Sequence, residues 1–292
     1  MAIELNVARS ETAIPSTCAN GAGIPCIGFG TYSMGGLQLS RILSQALRAG
    51  FRHIDTAQAY GNEDAVGAGI AMSGIRRDDV FITTKVWVTN YSKAKFHHSV
   101  DQSLRDLKTD YIDLLLIHWP SETDRLEEQI SLLNQAVQDG KVLSIGVSNF
   151  NRNLFERAVE ASDIPLATNQ IEYHPYLNQS TLVASARDAG AAITAYCAMA
   201  IGRVFHEPAL LATAEKYGRT VSQIVLRWLV QQHGVVTLTR TTHEQRIAEN
   251  LAVFDFALEE EDMQRIFGLA DPMGRIVAPP NLSPEWDPTP AY

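Results

Sequence analysis

The chain has 292 residues, of which 46% are hydrophobic and 20% are charged, and its formal net charge at pH 7 is -9. This composition is typical of a globular protein with a large core and excludes a mostly disordered chain. The acidic balance argues against a nucleic-acid partner, because phosphate backbones are bound by clustered Lys and Arg.

Cysteine usage and hydropathy predict a cytoplasmic protein that does not enter a membrane. Cys18, Cys26 and Cys197 are scattered and show neither a metal-ligand spacing nor a disulfide framework, as expected in a reducing compartment. The first residues, MAIELNVARSETAIPS, lack the basic head and apolar run of a secretory signal. No apolar stretch approaches the roughly 20 residues that a membrane-spanning helix needs.

In chain order, the pattern predicts a hairpin that turns at Asn20-Gly21, followed by short apolar strands that alternate with amphipathic helices. We expect eight strands, at Pro25–Gly28, Arg52–Ile54, Val80–Lys85, Tyr111–His118, Val142–Val147, Leu166–Ile171, Ala192–Tyr196 and Gly234–Leu238. The helices are expected at Leu37–Ala49, Glu63–Met72, Ser92–Leu107, Leu126–Gln138, Arg152–Ala161, Ser180–Ala189, Pro208–Tyr217 with Val221–Gln232, and His243–Val253.

The regular alternation of strands and helices predicts one parallel sheet with right-handed crossovers. Eight such units favour an α/β fold of the (β/α)8 TIM barrel type, with one domain over residues 1–292. The alternative, an open doubly wound sheet, normally carries GxGxxG after its first strand, and GFGTYS at Gly28 lacks the third glycine. The proline-rich segment from Asp271 is expected to form a tail over the barrel mouth.

Polar side chains stand at the predicted carboxyl ends of the strands, where the active sites of such barrels lie. In chain order they are Asp55 with Tyr60, Lys85, His118, Ser148 with Asn149, Gln170, Tyr196 and Arg240. Lys85 is the least expected of them, because it ends the apolar run FITTKVW. A lysine in such a position costs desolvation energy unless a nearby group answers its charge.

Four of these side chains form a chemically coherent group. Taken singly, Lys85 and Asp55 fit a structural ion pair, and His118 fits a hydrogen-bonded core histidine. Tyr60, in a glycine-flanked loop, fits a surface tyrosine. Their common place at one rim favours a reactive site, in which the Lys85 ammonium lowers the pKa of the Tyr60 phenol and Asp55 holds the ammonium. His118 would then donate a hydrogen bond to a carbonyl oxygen.

A second candidate site lies in TRTTHEQRIAEN after the last predicted strand. Thr242 with Gln245 forms a capping-box pattern, which predicts a helix start with free backbone N–H groups. Arg240 and Arg246 flank this start, so the segment predicts an anion site, although ordinary arginines on a solvated helix also fit it. With Tyr196 as a stacking partner, a bound nucleotide and hydride transfer to a carbonyl become the predicted chemistry.

Sequence blocks along nearly the whole chain resemble the aldo-keto reductase family: GFRHIDTAQAYGNE, ITTKVW, DYIDLLLIHWP, GVSNF, NQIEYHP and RIAEN, in the family's order. The resemblance implies an NADPH-dependent carbonyl reductase with the catalytic group Asp55, Tyr60, Lys85 and His118, in which Tyr60 donates the proton. It implies that Ser148, Asn149 and Gln170 hold the nicotinamide carboxamide and that Tyr196 stacks on the ring. The implied contacts to the rest of NADP come from Arg240, Thr241, Arg246, Glu249 and Asn250.

The short chain and its ending GRIVAPPNLSPEWD resemble most the bacterial 2,5-diketo-D-gluconate reductase B group of that family. The implied substrates are small dicarbonyls such as methylglyoxal or 2,5-diketo-D-gluconate, and the implied state is a monomer. Tyr32, Trp87 and Trp119 would line the substrate pocket, while packing at the barrel rim is their plainer interpretation.

Two segments depart from the family pattern. LTRT stands where many members have IPKS, so Arg240 replaces a lysine; its planar fork still favours NADPH over NADH. YCAMAIG stands where many members have YSPLG and is followed quickly by a helix. We therefore expect the long loop that straps the cofactor in larger members to be missing, and cofactor exchange to be faster.

Three rival interpretations stay open at this point. A metal-dependent hydrolase would use His53, Asp55 and His118, but there is no HxH pair and Lys85 does not suit a metal site. A Schiff-base aldolase would use Lys85 as the nucleophile. An NADPH-sensing regulatory subunit with little turnover would keep the fold without the activity.

Overall fold

The computed structural model describes residues 14–121 and 123–288. Its strands are β1 (Ser16–Ala19), β2 (Ala22–Pro25), β3 (Ile27–Gly30), β4 (His53–Asp55), β5 (Phe81–Val86), β6 (Ile112–Ile117), β7 (Val142–Ser148), β8 (Leu166–Glu172), β9 (Ala192–Tyr196) and β10 (Val235–Thr239). Its helices are α1 (Gly36–Ala49), α2 (Glu63–Ser73), α3 (Lys93–Leu107), α4 (Leu126–Gln138), α5 (Arg152–Ala161), α6 (Ser180–Asp188), α7 (Pro208–Tyr217), α8 (Val221–Val230), α9 (Glu244–Leu251) and α10 (Glu260–Phe267).

Strands β3 to β10 pair in parallel and close into a barrel, with β10 hydrogen-bonded to β3. The predicted (β/α)8 barrel is therefore confirmed. The first barrel strand starts two residues later than predicted, because Pro25 belongs to the hairpin, where it pairs with Ser16. Since all barrel strands run in one direction, their carboxyl ends meet at one rim and place the predicted polar side chains there.

The predicted N-terminal hairpin closes the opposite end of the barrel. Asn20 and Gly21 both have positive φ, as the tight turn requires. The Asn20 side chain donates to the carbonyl of Leu166 at 2.8 Å, at the start of β8. Ala19 and Ile24 are buried against apolar side chains from the lower ends of the strands. This end is therefore filled by packing and leaves the other rim for chemistry.

Helix α10 is an element that the sequence pattern did not predict. Its first turn is acidic, with Glu260, Glu261 and Asp262, which suits the positive end of a helix but resembles a solvated loop in sequence. Asp262 is fully buried and accepts hydrogen bonds from Lys216 at 2.7 Å and Tyr217 at 2.8 Å. The helix is thus fixed to α7 by contacts that are distant in sequence.

The C-terminal segment lies over the ends of β7 and β8, as predicted for the tail. The backbone N–H groups of Ile276 and Val277 donate to the buried Glu172 carboxylate at 2.8 and 2.9 Å. Further on, Asp287 accepts from the backbone N–H of Arg152 at the first residue of α5. The last residues of PPNLSPEWDPTP, and residues 1–13 with their predicted lack of a secretory signal, lie outside the described residues.

Across the two described ranges, no helix combines the length and apolarity required to cross a membrane.

Candidate active site

Lys85 lies on β5 with its side chain inside the barrel wall, and only 1% of that side chain is exposed. Its Nζ donates to Asp55 Oδ1 at 2.7 Å and to the carbonyl oxygen of Thr56 at 2.8 Å. Asp55 ends β4, the neighbouring strand, so strand pairing brings the two charges together. The charge of Lys85, which is unexpected in the apolar run FITTKVW, is therefore neutralised by Asp55 on the neighbouring strand β4.

The Lys85 amine is held in its charged form. Burial lowers its pKa, but the charge of the Asp55 carboxylate and the hydrogen bond to it act in the opposite direction, and the net pKa lies above the ordinary value. A Schiff-base aldolase needs a neutral amine as its nucleophile. The buried ion pair therefore argues against the aldolase interpretation.

Tyr60 follows β4 on a 3-10 turn, Gln58–Tyr60, which Gly61 ends in a left-handed conformation. The Lys85 Nζ lies 5.1 Å from the centroid of its ring. Burial raises the pKa of the Tyr60 phenol, Lys85 lowers it and Asp55 raises it, and the net pKa is above the ordinary 10.0. The expected net lowering is wrong, since burial outweighs the ammonium, and Tyr60 stays protonated near neutral pH.

His118 follows β6 and faces Tyr60 across the rim, with 5.7 Å between the two ring centroids. Burial, followed by the positive charge of Lys85, lowers the pKa of its imidazole to about 2. The ring is therefore neutral at physiological pH and carries one N–H donor. The imidazole can donate a hydrogen bond to a carbonyl oxygen, but it cannot act as a general acid near neutral pH, because it is not protonated there.

The three residues predicted to hold a carboxamide are brought together at the ends of β7 and β8. Gln170 donates to Asp55 Oδ2 at 2.7 Å. Asn149, in a left-handed conformation, donates to the carbonyl oxygen of His118 at 2.9 Å. The Ser148 hydroxyl donates to the carbonyl of Gln170 at 2.9 Å. Hydrogen bonds thus join this amide cluster directly to the Asp55 carboxylate and the His118 backbone.

Tyr196 lies at the end of β9, beside the amide cluster. Its hydroxyl donates to Asn149 Oδ1 at 2.6 Å, which fixes the direction of the ring. Burial and, next, the charge of Glu172 raise its pKa well above the ordinary value, so the phenol is neutral. The structure gives this tyrosine a fixed aromatic face, which is what a stacking partner requires.

The segment after β10 differs from its prediction at the helix start. Helix α9 begins at Glu244 with His243 as N-cap and without a side-chain capping bond, so the predicted capping box of Thr242 with Gln245 is wrong. The Thr241 hydroxyl accepts from the backbone N–H of His243 at 3.0 Å and takes over the role of ordering this turn. Thr241, one residue before Thr242, thus provides the side-chain hydrogen bond to the backbone that was predicted for Thr242.

Arg240 and Arg246 are both exposed, as a phosphate site requires. One Arg240 nitrogen donates to the carbonyl oxygen of Tyr32 at 2.6 Å, which fixes the guanidinium at the rim next to β3. Both side chains are therefore placed where an anion can reach them.

Glu249 and Asn250 are engaged with neighbouring elements. Glu249 accepts a hydrogen bond from the Thr220 hydroxyl at 2.7 Å, which braces α9 against the start of α8. Asn250 is buried and donates to the Thr239 hydroxyl at 2.9 Å, at the end of β10. In the structure these two side chains hold α9 in place, and their contact with a cofactor stays a prediction.

Two of the three predicted pocket residues lie beside Tyr60 and His118. The Tyr32 ring is 63% exposed and lies 5.1 Å from that of Tyr60. The Trp87 ring lies 5.1 Å from that of His118. Trp119 is only 6% exposed, so it contributes less surface to the mouth than expected.

Several residues that hold the loops of the rim in place were not predicted from the sequence. Asn62 is buried and donates to the carbonyl oxygens of Thr31 and Met34, which ties the loop after β3 to the turn that carries Tyr60. Gln58 and Tyr91 make comparable contacts to other loops of the rim. Asn62 follows Gly61 in the segment GFRHIDTAQAYGNE. An asparagine after a glycine in a loop is the one feature of the sequence that indicates a side chain bonded to nearby backbone.

The site suits a nicotinamide nucleotide more than a metal ion. An amide and hydroxyl cluster lies beside the fixed face of Tyr196, and two exposed arginines follow β10. His53, a ligand in the hydrolase interpretation, is buried with its Nε2 hydrogen-bonded to Thr83. In residues 14–121 and 123–288, no cluster of three His, Cys, Asp or Glu side chains has the arrangement of a metal site.

Comparison with known proteins agrees with this geometry. The sequence profile described as Aldo/keto reductase family matches residues 26–271. The methylglyoxal reductase DkgB of Escherichia coli O157:H7 is 40% identical over 267 residues, covering 90% of this chain and 99% of that protein. The glyoxal reductase of Bacillus subtilis (strain 168) is 38% identical over 251 residues, covering 86% and 90%.

Two solved structures show the same fold. A crystal structure of a protein provisionally named 2,5-diketo-D-gluconic acid reductase B is 52% identical, with a TM-score of 0.93 and coverage of 94% of this chain and 98% of that one. A Bombyx mori aldo-keto reductase in complex with NADP is 34% identical, with a TM-score of 0.82 and coverage of 88% and 93%. On the sequence match and the shared fold, the chain belongs to the aldo/keto reductase family.

Proposed function

We propose that the protein reduces small aldehydes and ketones to alcohols with NADPH, with dicarbonyls such as methylglyoxal or 2,5-diketo-D-gluconate as its substrates. The observation that carries the proposal is the buried Lys85–Asp55 ion pair beside a protonated Tyr60. Family membership supports the reaction type, since aldo-keto reductases are oxidoreductases that act on carbonyls.

Tyr60 is the proposed proton donor. When the carbonyl carbon is reduced, negative charge builds on the substrate oxygen, and a phenol at the rim can give it a proton. The phenolate that remains is stabilised by the Lys85 ammonium, and Asp55 keeps that ammonium in place at 2.7 Å. The Lys85 ammonium, which partly offsets the energetic cost of ionising Tyr60, is thus held in place before the reaction starts.

His118 orients the substrate in this proposal. Its neutral imidazole donates a hydrogen bond to the carbonyl oxygen, and its low pKa means that this donor is not lost or converted between about pH 5 and 9. Trp87, whose ring packs against His118, would form one wall of the pocket, and Tyr32 would form the other.

NADPH, when bound, supplies the hydride. Ser148, Asn149 and Gln170 would hold its carboxamide, and the flat face of Tyr196 would support its ring. The proposed contacts for the remainder of the cofactor are Arg240, Thr241, Arg246, Glu249 and Asn250. Arg240 supports a preference for NADPH, because a guanidinium binds a phosphate through two parallel N–H bonds.

The names of the relatives support small dicarbonyl substrates, since two of them are a methylglyoxal reductase and a glyoxal reductase. The regulatory-subunit alternative has no support in these comparisons, and the complete set of reactive side chains favours turnover. A monomeric state, a cytoplasmic location and a single domain over residues 1–292 belong to the same proposal. The three free cysteines are consistent with a reducing compartment.

The test is NADPH consumption, followed by its absorbance, with methylglyoxal, 2,5-diketo-D-gluconate and an aromatic aldehyde. We expect wild-type turnover with at least one dicarbonyl and a loss of roughly 10²- to 10⁴-fold in Tyr60→Phe. Tyr217→Phe is the matched control, because it removes a hydroxyl that joins α7 to α10. No consumption with any carbonyl would overturn the function, and a fast Tyr60→Phe variant would overturn the role of Tyr60.

A further inference from the structure

Residues 87–91, which we term the bridging loop, follow β5 and contact the segments that carry both Tyr60 and His118. The loop contains Trp87, the 3-10 turn Val88–Asn90 and Tyr91. Side chains bond the loop on one side to the Tyr60 turn and on the other side to the residues after β6. It is therefore placed to control the distance between the two reactive groups.

Gln58 makes the contact on the Tyr60 side, two residues before Tyr60 in the same turn. Its Oε1 accepts from the backbone N–H of Trp87 at 3.0 Å and from the Asn90 side chain at 2.9 Å. Its Nε2 donates to the hydroxyls of Ser99 at 3.1 Å and Ser103 at 3.2 Å, both on α3. All hydrogen-bonding positions of this amide are used, so its orientation is fixed.

Gln58 is in turn tied to the barrel. The Ser103 hydroxyl donates to Glu63 Oε2 at 3.1 Å, and the Thr84 hydroxyl donates to Glu63 Oε1 at 2.6 Å. Glu63 begins α2, and Thr84 precedes Lys85 on β5. The turn that carries Tyr60 is thereby joined through polar contacts to the strand that carries its ammonium partner.

Tyr91 makes the contact on the His118 side. Its hydroxyl donates to the carbonyl oxygen of Trp119 at 2.8 Å and accepts from the backbone N–H groups of His118 at 3.0 Å and Trp119 at 3.2 Å. The side chain is 4% exposed, and burial raises its pKa well above the ordinary value, so the phenol keeps its proton. One hydroxyl thus holds both peptide groups beside the imidazole.

The strand ladders provide only part of this control. The last paired residues are Asp55 with Thr83, and Val86 with Ile117. The backbone N–H of His118 still donates to the carbonyl oxygen of Val86 at 3.2 Å, whereas Tyr60 lies beyond these pairs on a 3-10 turn. The separation of the two side chains therefore depends on contacts between loops as well as on the ladder.

We propose that Gln58 and Tyr91 are positioning residues that act through the bridging loop to set the separation of the Tyr60 hydroxyl and the His118 imidazole. This inference rests on the proposed function, in which both groups must reach the same substrate oxygen. Displacements of about 1 Å between reacting groups reduce rates by as much as 10²-fold. Trp87 and Trp119 move with the same contacts, so the shape of the pocket depends on them as well.

The experiment compares Gln58→Met, Tyr91→Phe and the double variant in kcat, KM and NADPH affinity measured by fluorescence titration. Each single change is expected to lower kcat roughly 10- to 100-fold while the Kd for NADPH stays within about twofold. The two losses should combine to less than their product, because both act on one loop. Amide exchange at Trp119 should accelerate in Tyr91→Phe, and that at His118 should change less because Val86 also accepts from its N–H. This readout does not depend on turnover.

Gln231→Met and Tyr217→Phe are the matched controls, since they remove an amide and a phenol that join elements away from the mouth. Normal kcat in both Gln58→Met and Tyr91→Phe would overturn the inference. Equal losses in the controls, or parallel losses of kcat and NADPH affinity, would reduce both residues to a structural role and also overturn it.

Asn90→Ala removes a single contact to Gln58 and replaces the other two variants if either of them fails to fold. A normal kcat in Asn90→Ala would contradict the inference. A wild-type enzyme inert toward every carbonyl would count against the proposed function. Unchanged amide exchange in Tyr91→Phe would count against the positioning role alone.

Discussion

The two ends of the candidate site are held in different ways. At the proposed reaction end, Lys85 and Asp55 are almost fully buried, and each has at least two hydrogen-bond partners. At the proposed phosphate end, Arg240 and Arg246 are exposed, and the one contact described for either guanidinium is that of Arg240 with the carbonyl oxygen of Tyr32. The first end is organised before any ligand arrives, whereas the second offers charge that a ligand must order.

This difference has energetic consequences. Removing one partner of a buried ion pair leaves an uncompensated charge and costs about 3–5 kcal/mol, whereas an exposed charge contributes about 0–1 kcal/mol to stability. Exposed charges are also screened by salt. Substitutions at the reaction end should therefore affect both turnover and folding, and substitutions at the phosphate end should affect cofactor affinity alone.

The largest effect is expected for Lys85→Met. Turnover should fall roughly 10²- to 10⁴-fold, because Tyr60 loses the ammonium that stabilises its phenolate. The free energy of unfolding should fall by about 3–5 kcal/mol, because Asp55 is left buried without its counter-charge. Steady-state kinetics and urea unfolding measure the two quantities.

The double change Lys85→Met with Asp55→Asn separates these two roles of Lys85. It should recover part of the stability and none of the turnover, since the buried charge is gone but the phenolate partner is still missing. Near-normal turnover in Lys85→Met would return the pair to a structural role.

The second prediction concerns acid stability at the buried end. Burial lowers the pKa of His53 from 6.5 to about 4 in the folded protein. Above pH 6.5 the residue is neutral in both states, while between pH 6.5 and 4 the unfolded chain alone takes up the proton, so stability falls as the pH is lowered. The part of the loss that His53 contributes approaches about 3 kcal/mol by the lower pH.

Urea unfolding between pH 4 and 7 measures this loss. His53→Asn should remove its own part of the loss and make the curve less steep, while the part contributed by His118, whose pKa burial lowers to about 2, should remain. A wild-type stability that is constant over this range would show that His53 is not buried in its neutral form.

At the exposed end we expect smaller effects. Arg240→Ala should raise the Kd for NADPH roughly tenfold and leave kcat nearly unchanged, because it removes a charge-assisted contact with phosphate. The Kd for NADH, which lacks that phosphate, should change little. Fluorescence titration at two salt concentrations measures both constants, and the wild-type advantage should shrink at high salt.

Arg265→Ala, an exposed arginine on α10, is the control for this change. Equal changes in the affinities for NADPH and NADH would place Arg240 away from the phosphate that distinguishes them.

The same division explains what the sequence could predict. Asp55, Lys85 and His118 lie at strand ends, and the period of the βα units places strand ends at one rim whatever the side-chain details. The exact partners depend on tertiary contacts: Gln170 and Asp55 are bonded across 115 positions of sequence, and no local pattern indicates such a pair. Gln58 and Tyr91 were missed for the same reason.

The hydrogen bond that orders the start of α9 was harder to predict than the position of the helix. Thr242 with Gln245 satisfied a local pattern, but the structure uses the Thr241 hydroxyl in the turn and begins α9 at Glu244. Adjacent threonines offer the backbone equivalent local bonds, and contacts with β10 and α8 decide between them. The net pKa of Tyr60 could not be predicted from the sequence either, because it depends on how far burial outweighs the charge of Lys85.

The central claim, that Tyr60 and not His118 gives the proton, is tested most directly by the pH dependence of single-turnover NADPH oxidation with saturating substrate. A pKa of Tyr60 above 10.0 and of His118 near 2 predicts a rate that is flat from about pH 6 to 9 and falls only at higher pH. A rate that falls through an apparent pKa between about 6 and 8 would contradict the account, because it would require a proton donor whose pKa is far from both of these values.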